Sequence, residues 1–172
     1  YKKDSIIFYS RSGKLIVKKV NNLISLNFPA RVPSEVKKNN ILLEALGEEP
    51  EKVLFNKTTV AVFKDEDLVR KLKPSIKKFL QLETHGVIIT APGKQVDFVS
   101  RFFAPDVGID EDPVTGYAHT LLIPFWAKEL NKSKMSALQV SKRGGELFCE
   151  IDGDRVIIKG ESKLYMKGEI EI

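Results

Sequence analysis

The beginning of the chain alternates short runs of β-branched and aromatic residues with turn residues. Arg-Ser-Gly and Asn21-Asn22 separate these runs. Turn residues between runs of this kind predict antiparallel hairpins. Three strands are therefore expected at residues 5–10, 14–19 and 23–27.

Helix and strand signals alternate through the middle of the chain. Ser34 is a plausible N-cap for a helix through about Leu46, and Gly47 follows as its stop signal. The runs "KVLFN" and "TTVAVF" predict two strands, and "DEDLVRKLKPSIKKFL" predicts a helix that Pro74 should break or restart. The near-continuous apolar run "HGVIITAPG" is typical of a strand covered on both faces, and "VDFVSRFFAP" predicts a further strand.

The last third contains the longest apolar helical stretch, residues 118–130, followed by a meander. Pro124 is unusual inside that helix, and it either kinks the helix or starts a second segment. Glycine turns separate the β runs of the tail. The predicted class is α+β, with mostly antiparallel strands and a few helices packed on them.

Composition limits the function classes. The chain has 172 residues, of which 42% are hydrophobic and 30% charged, as expected for a globular domain or one large lobe of a bigger protein. No apolar run approaches the roughly 18 to 20 residues that span a bilayer, and no signal peptide pattern is present, so the expected compartment is the cytoplasm without membrane association. One cysteine, Cys149, and two histidines, His85 and His119, argue against a disulfide or a metal site, and Cys149 reads as a small core residue.

The net charge of +5 is concentrated at the beginning, where residues 1–38 contain nine Lys or Arg and two acids. The region lacks the alternation of aromatic and basic residues that RNA-binding modules use, so we expect a solvated face and no nucleic-acid partner. Nucleic-acid binding that weakens with salt is kept as a further hypothesis. The chain begins with Tyr1, inside a strand-like pattern, which predicts a piece of a longer protein.

The stretch "GIDEDPVTGYAH", residues 108–119, places three acids directly before the apolar helix. The first amides of a helix lack partners within it, and they lie at the positive end of the helix dipole. Such a terminus can hold a carboxylate or a developing enolate. Asp112 precedes these amides and could move a proton. The alternative is that Asp112 or Thr115 caps the helix and that Glu111 is solvated.

The motif also carries a family resemblance. "RFFAPDVGIDEDPVTGYAHTLLIPFWA", followed by "LQVSKRGGEL", closely resembles the PhzF-like family of phenazine biosynthesis proteins. "SGKLIV" and "LNFPA" are similar to the family's middle strands, so the resemblance covers nearly the whole chain.

The resemblance implies the diaminopimelate epimerase-like fold, in which two similar lobes each wrap a mostly antiparallel sheet around a central helix. On this basis residues 31–160 form the C-terminal lobe, whose central helix begins near Ala118. Residues 1–30 are crossover strands of an incomplete N-terminal lobe, and residues 161–172 are a return strand to it. The active site of the family lies in the cleft between the lobes, and members often pair as homodimers.

The family chemistry is proton movement at carbon without a cofactor, in which an acidic side chain removes and returns protons. By resemblance, Asp112 is the catalytic candidate, and the candidate residues for binding a substrate carboxylate are Gly116, Tyr117, Ala118, His119, Arg143 and Gly144. A packed histidine and a solvated arginine in a tight hairpin are the alternatives for His119 and Arg143.

Two departures from the family pattern are visible. Tyr117 stands where the family usually has serine, so the phenol could exclude a small aromatic substrate or contribute an acidic proton. The family's catalytic glutamate and its Gly-His-Ala segment belong to the N-terminal lobe, and no segment here matches them. Glu44 and Glu83 lie in ordinary helix or loop contexts. We therefore expect an isomerase or epimerase whose second half is this chain, inactive alone; the alternative is an inactive binding or interaction protein that keeps the fold.

Overall fold

The computed structural model describes residues 5–169, which form one mixed sheet with four α-helices. The strands are β1 (Ser5–Ser10), β2 (Gly13–Val20), β3 (Leu23–Pro29), β4 (Ser34–Glu35), β5 (Lys52–Phe55), β6 (Thr59–Val62), β7 (Val87–Pro92), β8 (Phe98–Ala104), β9 (Ile109–Asp112), β10 (Lys134–Gln139), β11 (Gly145–Asp152) and β12 (Arg155–Glu161). The helices are α1 (Asn40–Leu46), α2 (Glu66–Lys71), α3 (Ile76–Phe79) and α4 (Gly116–Leu130).

The sheet is mostly antiparallel, as predicted. Its strand order is β1-β2-β3-β12-β11-β10-β8-β7-β6-β5-β4, and β9 pairs with β8 outside this path. Only two of the described pairings are parallel, β6 with β7 and β8 with β10. The hairpins at the beginning and the meander at the end meet where β3 pairs with β12.

Helix α4 is the central element of the larger core. Leu121, Leu122 and Ile123 are fully buried, and the cluster around them takes residues from β5, β6, β7, β8, β10, β11 and β12. One face of the sheet therefore wraps around α4. This is the diaminopimelate epimerase-like arrangement that the family resemblance implied.

The opposite face of the sheet is covered by the three short helices. Residues of β5 to β8 that point away from α4, among them Ala61, Ile89 and Val99, pack against residues of α1, α2 and α3 in a second core. Strand β7 is consequently buried on both faces, which explains its near-continuous apolar sequence.

Pro124 lies inside α4 without dividing it, because the helix continues from Gly116 to Leu130. Proline has no N–H, so the carbonyl of Thr120, four residues earlier, loses its usual partner. The backbone N–H of Arg31 donates to this carbonyl at 2.9 Å. Pro124 thereby frees an acceptor that fixes the segment between β3 and β4 against the helix.

The prediction that Ser34 caps the first helix is wrong. Ser34 lies in β4, where it pairs with Phe55 at the edge of the sheet. Asn39 is the N-cap, since its side chain accepts a hydrogen bond from the Ile41 amide at 2.7 Å. The stop signal at Gly47 is confirmed, because Gly47 has φ 73° and its N–H donates to the Leu43 carbonyl.

Other boundaries differ in smaller ways. The break at Pro74 is confirmed by separate helices α2 and α3, and α4 begins at Gly116 rather than near Ala118. Within the predicted return strand, residues 162–169 adopt no strand, and residues 170–172 lie outside the described residues. The division of the chain near residues 30 and 160 stays a prediction. In the part of the chain that is described, no helix has the length and apolar character needed to cross a membrane.

The central helix gives a direct stability test. Leu122→Ala should lower the free energy of unfolding by about 2 to 5 kcal/mol, because it leaves a cavity in the core around α4. Lys128→Ala on the exposed face of the same helix should change it by less than about 0.5 kcal/mol. Urea denaturation of both variants measures the difference, and equal effects would contradict the central placement of Leu122.

Candidate active site at the start of helix α4

The buried side chain of Gln139 organises the start of α4. Its Oε1 accepts the backbone N–H of Thr115 at 2.8 Å, and its Nε2 donates to the Asp112 carbonyl at 2.7 Å and to Thr115 Oγ1 at 3.1 Å. Gln139 is the last residue of β10, and only 1% of its surface is exposed. One amide group thus ties the loop before α4 to the sheet.

The Asp112 carboxylate belongs to the same network. The hydroxyl of Thr115 donates to Asp112 Oδ2, and the same hydroxyl oxygen accepts from Gln139. The three side chains therefore form one chain of hydrogen bonds, called the relay below. The Gln139 amide donates to the Thr115 hydroxyl, and this hydroxyl donates to the Asp112 carboxylate. Asp112 is half-buried, and this relay turns one carboxylate oxygen towards the helix rather than towards bulk water.

A second set of contacts fixes the loop from the β10–β11 turn. Ser141 Oγ donates to the Pro113 carbonyl at 2.7 Å and accepts from the Gly144 amide at 3.1 Å. Gly145 lies so close to Val114 that a Cβ at Gly145 would collide with the valine side chain. The segment "SKRGG" thus holds the acidic loop, residues 110–115, in place through Ser141, Gly144 and Gly145, independently of the Arg143 side chain.

The first turn of α4 has no side-chain cap. Thr115 is the N-cap residue, but its hydroxyl is used by Asp112 and does not cap the helix. Within residues 5–169, no side chain accepts a hydrogen bond from the amides of Gly116, Tyr117 or Ala118. These amides lie at the positive end of the helix dipole and can hold an anion.

A groove of about 800 Å³ opens beside this turn. Gly116, Arg143 and Gly144 line it, together with apolar side chains of which Leu26 and Val114 are the nearest to the helix start. A Cβ at Gly116 would make a van der Waals contact with Leu26 Cδ1 at 3.4 Å. The groove therefore combines the first residue of α4 and an apolar floor with charged side chains of both signs, the cations Arg143 and Lys163 and the acids Glu146 and Glu161.

Glu111 is not the solvated acid of the alternative reading. It forms a two-pronged ion pair with Arg101, with Nε to Oε1 at 2.7 Å and Nη2 to Oε2 at 3.0 Å. Arg101 also donates to the carbonyls of Val69 and Leu72. Glu111 thus links the acidic loop to α2, and Asp112 remains as the acid beside the helix start.

His119 is a packed core histidine. It is fully buried against Phe98, and its Nδ1 lies 2.7 Å from the Thr115 carbonyl, so Nδ1 carries the hydrogen. Burial lowers the pKa of His119 from 6.5 to about 4, while the Thr115 carbonyl acts in the opposite direction. The imidazole is neutral near pH 7, and its location supports the packed alternative over direct contact with a ligand.

Tyr117 turns its phenol away from the groove. Its hydroxyl is 2.9 Å from Thr58 Oγ1, and the guanidinium of Arg31 lies 5.0 Å from the centre of its ring. Phe102 packs against the other part of the ring. Tyr117 therefore contributes no hydroxyl to the groove.

The structure brings together only part of the predicted site. Gly116, Arg143 and Gly144 share the groove, and Asp112 stands next to the helix start without lining the groove. Ala118 and His119 are fully buried, so neither reaches the groove. Cys149 is buried as expected, and burial raises the pKa of its thiol to about 12.

Two residues of the site escaped sequence reasoning. Gln139 stands in the quoted segment "LQVSKRGGEL", but its role required the knowledge that β10 ends beside the loop before α4. Arg31 follows "LNFPA", and no local pattern indicates that it reaches Tyr117. No group of three or more His, Cys, Asp or Glu side chains within residues 5–169 could hold a metal ion.

Comparison with known proteins gives a consistent family result. The model of the family PhzC-PhzF, phenazine biosynthesis-like protein, matches residues 1–169. A Pseudomonas aeruginosa protein named an uncharacterized isomerase is 48% identical over 166 residues, which cover 96% of this chain. The chain spans 64% of the length of that relative.

Solved structures agree with this fold. The crystal structure of a PhzF family protein from Enterococcus faecalis has a TM-score of 0.91 and 42% identity, and it covers 100% of this chain and 66% of its own. A hydroxyproline epimerase from Agrobacterium vitis, solved with bound trans-4-hydroxy-L-proline, has a TM-score of 0.55 at 12% identity. It covers 96% of this chain and 59% of its own, and at this identity the likeness concerns the fold alone.

The buried Gln139 relay can be tested by removing its polar atoms. Gln139→Leu should lower the free energy of unfolding on the order of 1–3 kcal/mol, because the Thr115 amide and the Asp112 carbonyl lose their partner. Gln81→Leu, at an exposed position, should change it by less than about 0.5 kcal/mol. Urea denaturation checks both variants, and a neutral Gln139→Leu would refute the anchoring role.

His119 gives a pH-dependent prediction. The unfolded chain binds a proton at this histidine below about pH 6.5, whereas the folded chain does so only near pH 4. The free energy of unfolding should therefore fall by about 3 kcal/mol from this group as the pH falls from 6.5 to 4. His119→Asn should remove that part of the pH dependence, and His85→Gln, at an exposed site, should keep it. An unchanged pH profile in His119→Asn would contradict the assignment.

Proposed function

The chain belongs to the phenazine biosynthesis-like protein family, and we propose that it supplies the second half of the active site of an isomerase or epimerase. The proposed reaction is proton transfer at carbon, without a cofactor, on a small metabolite that bears a carboxylate. The segment that completes the cleft is the part of its relatives' length that this chain does not span.

The observation that carries the proposal is the joint placement of Asp112 and the uncapped first turn of α4. Thr115 and Gln139 orient the carboxylate, and Gly116, whose amide has no side-chain partner, lines an open groove. Acid and amides that are fixed before a ligand arrives need little rearrangement during a reaction. That is the arrangement that a proton transfer with an anionic intermediate requires.

In the proposed mechanism, a base removes a proton from the carbon and leaves the electron pair delocalised as an enolate-like anion. The amides at the start of α4 stabilise the negative charge, and Arg143 is close enough to the groove to assist. A proton is then returned to carbon, so the reaction involves no net oxidation. By family resemblance, the base is a glutamate of the other lobe, and Asp112 assists in moving the proton.

A second candidate function is binding without chemistry. It is favoured by Tyr117, because the phenol is held by Thr58 and Arg31 and offers no hydroxyl to the groove. In this second function the groove and the fold serve binding, and Asp112 transfers no proton.

Substitution of Asp112 in the complete protein separates the two functions. Asp112→Asn should lower kcat/KM on the order of tenfold to thousandfold, because the amide keeps the shape of the carboxyl group but cannot exchange its proton. Asp110→Asn, at an exposed position two residues earlier, is the matched control and should leave the rate unchanged. The measurement is the rate at which the substrate carbon takes up deuterium from heavy water during isomerisation. Equal rates for wild type and Asp112→Asn would sink the enzymatic role of this acid.

A further inference from the structure

Arg31 is held against α4 by both its backbone and its side chain. Its backbone N–H occupies the carbonyl of Thr120 that Pro124 leaves free. Its guanidinium lies over the ring of Tyr117, and one of its nitrogens donates to Ser12 Oγ in the β1–β2 turn at 3.2 Å. Both the backbone and the side chain of this arginine are therefore positioned before any ligand binds.

The donors of Arg31 are largely unused, in contrast to those of two other half-buried arginines. Arg101 is bound by the Glu111 carboxylate and two carbonyls. Arg155 is bound by the side-chain and backbone oxygens of Asn27 and by the Lys14 carbonyl. Within residues 5–169, Arg31 has no carboxylate partner and only the Ser12 hydroxyl as a hydrogen-bond acceptor.

A small chamber of about 120 Å³ lies at this guanidinium. Its polar lining is Arg31, Ser12, Thr120 and the Tyr117 edge, and its apolar lining comes from Leu15, Phe28 and Pro29. The chamber is separate from the groove. Leu26 faces the groove and Phe28 faces the chamber, so the two sites adjoin along β3.

We propose that this chamber is a second binding site, in which Arg31 receives the carboxylate of a small ligand with a short apolar body. A guanidinium with free, preorganised donors matches the two oxygens of a carboxylate. Stacking on Tyr117 keeps the cation in place without consuming those donors. The proposal goes beyond the proposed function and does not depend on it, since the chamber contains neither Asp112 nor Arg143.

The size and lining of the chamber favour a carboxylate over inorganic phosphate. A volume of about 120 Å³ has room for only a few heavy atoms. Its apolar wall from Leu15, Phe28 and Pro29 suits a short hydrocarbon segment, whereas a phosphate dianion would lose more solvation there without a second cation. Propionate is accordingly the probe, and phosphate is the comparison.

The test follows the Arg31 side-chain Nε–H signal by NMR while the 172-residue chain is titrated with sodium propionate at constant ionic strength. Saturable binding with a Kd on the order of millimolar is expected for so small a ligand. Arg31→Gln, read from the Tyr117 amide signal, should weaken binding at least tenfold. Arg143→Gln, which alters only the groove, should leave the Kd within twofold.

A second variant protects the test against misfolding of Arg31→Gln. Leu15→Phe keeps the arginine and fills the chamber, so it should also abolish binding while leaving the remaining spectrum dispersed. The proposal is overturned if propionate fails to bind, if Arg143→Gln abolishes binding while Arg31→Gln does not, or if phosphate binds as tightly as propionate. Loss of activity in Asp112→Asn has no bearing on any of these outcomes.

Discussion

The buried amide of Gln139 holds the loop before α4 in its position on the sheet. It is a side chain that both accepts and donates, and it satisfies the Thr115 amide, the Asp112 carbonyl and the Thr115 hydroxyl together. With Thr115 engaged in this way, its hydroxyl orients Asp112 instead of capping the helix. The amides that follow have no side-chain cap, and Gly116 lines the groove, so the form of the site depends on this one buried side chain.

The beginning of α4 is also held by a second set of contacts. Pro124 removes one hydrogen bond from α4, and the freed Thr120 carbonyl binds the Arg31 backbone. Arg31 and Thr58 then position the Tyr117 ring. The beginning of α4 is thus held by Gln139 of β10 and by the connection between β3 and β4. The groove and the chamber open beside this part of the helix.

Much of the fold was accessible from local sequence. Strands, the break at Pro74, the Gly47 stop and the central helix each have a signal within a few residues. The prediction that Ser34 caps the first helix failed because Asn39 is the N-cap and because residues 34–35 pair with β5 at the edge of the sheet. That pairing is a tertiary contact that local sequence does not reveal. Strand β9 was missed because its "IDED" sequence is too polar for the usual strand pattern, and its pairing with β8 is what stabilises it.

The candidate site could be predicted less well from the sequence, because it too depends on tertiary contacts. The motif around Asp112 marked the start of the central helix to within two residues, but it did not indicate which acid is paired. Glu111 and Asp112 are neighbours in sequence, and only the position of Arg101 on β8 assigns the first to an ion pair. His119 and Tyr117 likewise looked like ligand contacts, because sequence gives their spacing and not the direction in which each side chain leaves the helix. Gln139 and Arg31 act over long sequence separations that no local pattern encodes.

The most direct measurement is an amide NMR titration of the chain with sodium benzoate, an anion whose ring suits the apolar floor of the groove. Our account predicts saturable downfield shifts of the Gly116 amide signal, because its N–H group would donate to the bound carboxylate. Gln139→Leu should remove these shifts by releasing the loop before α4. Benzoate binding that leaves the Gly116 amide signal unmoved would contradict the claim that the start of α4 is an anion site.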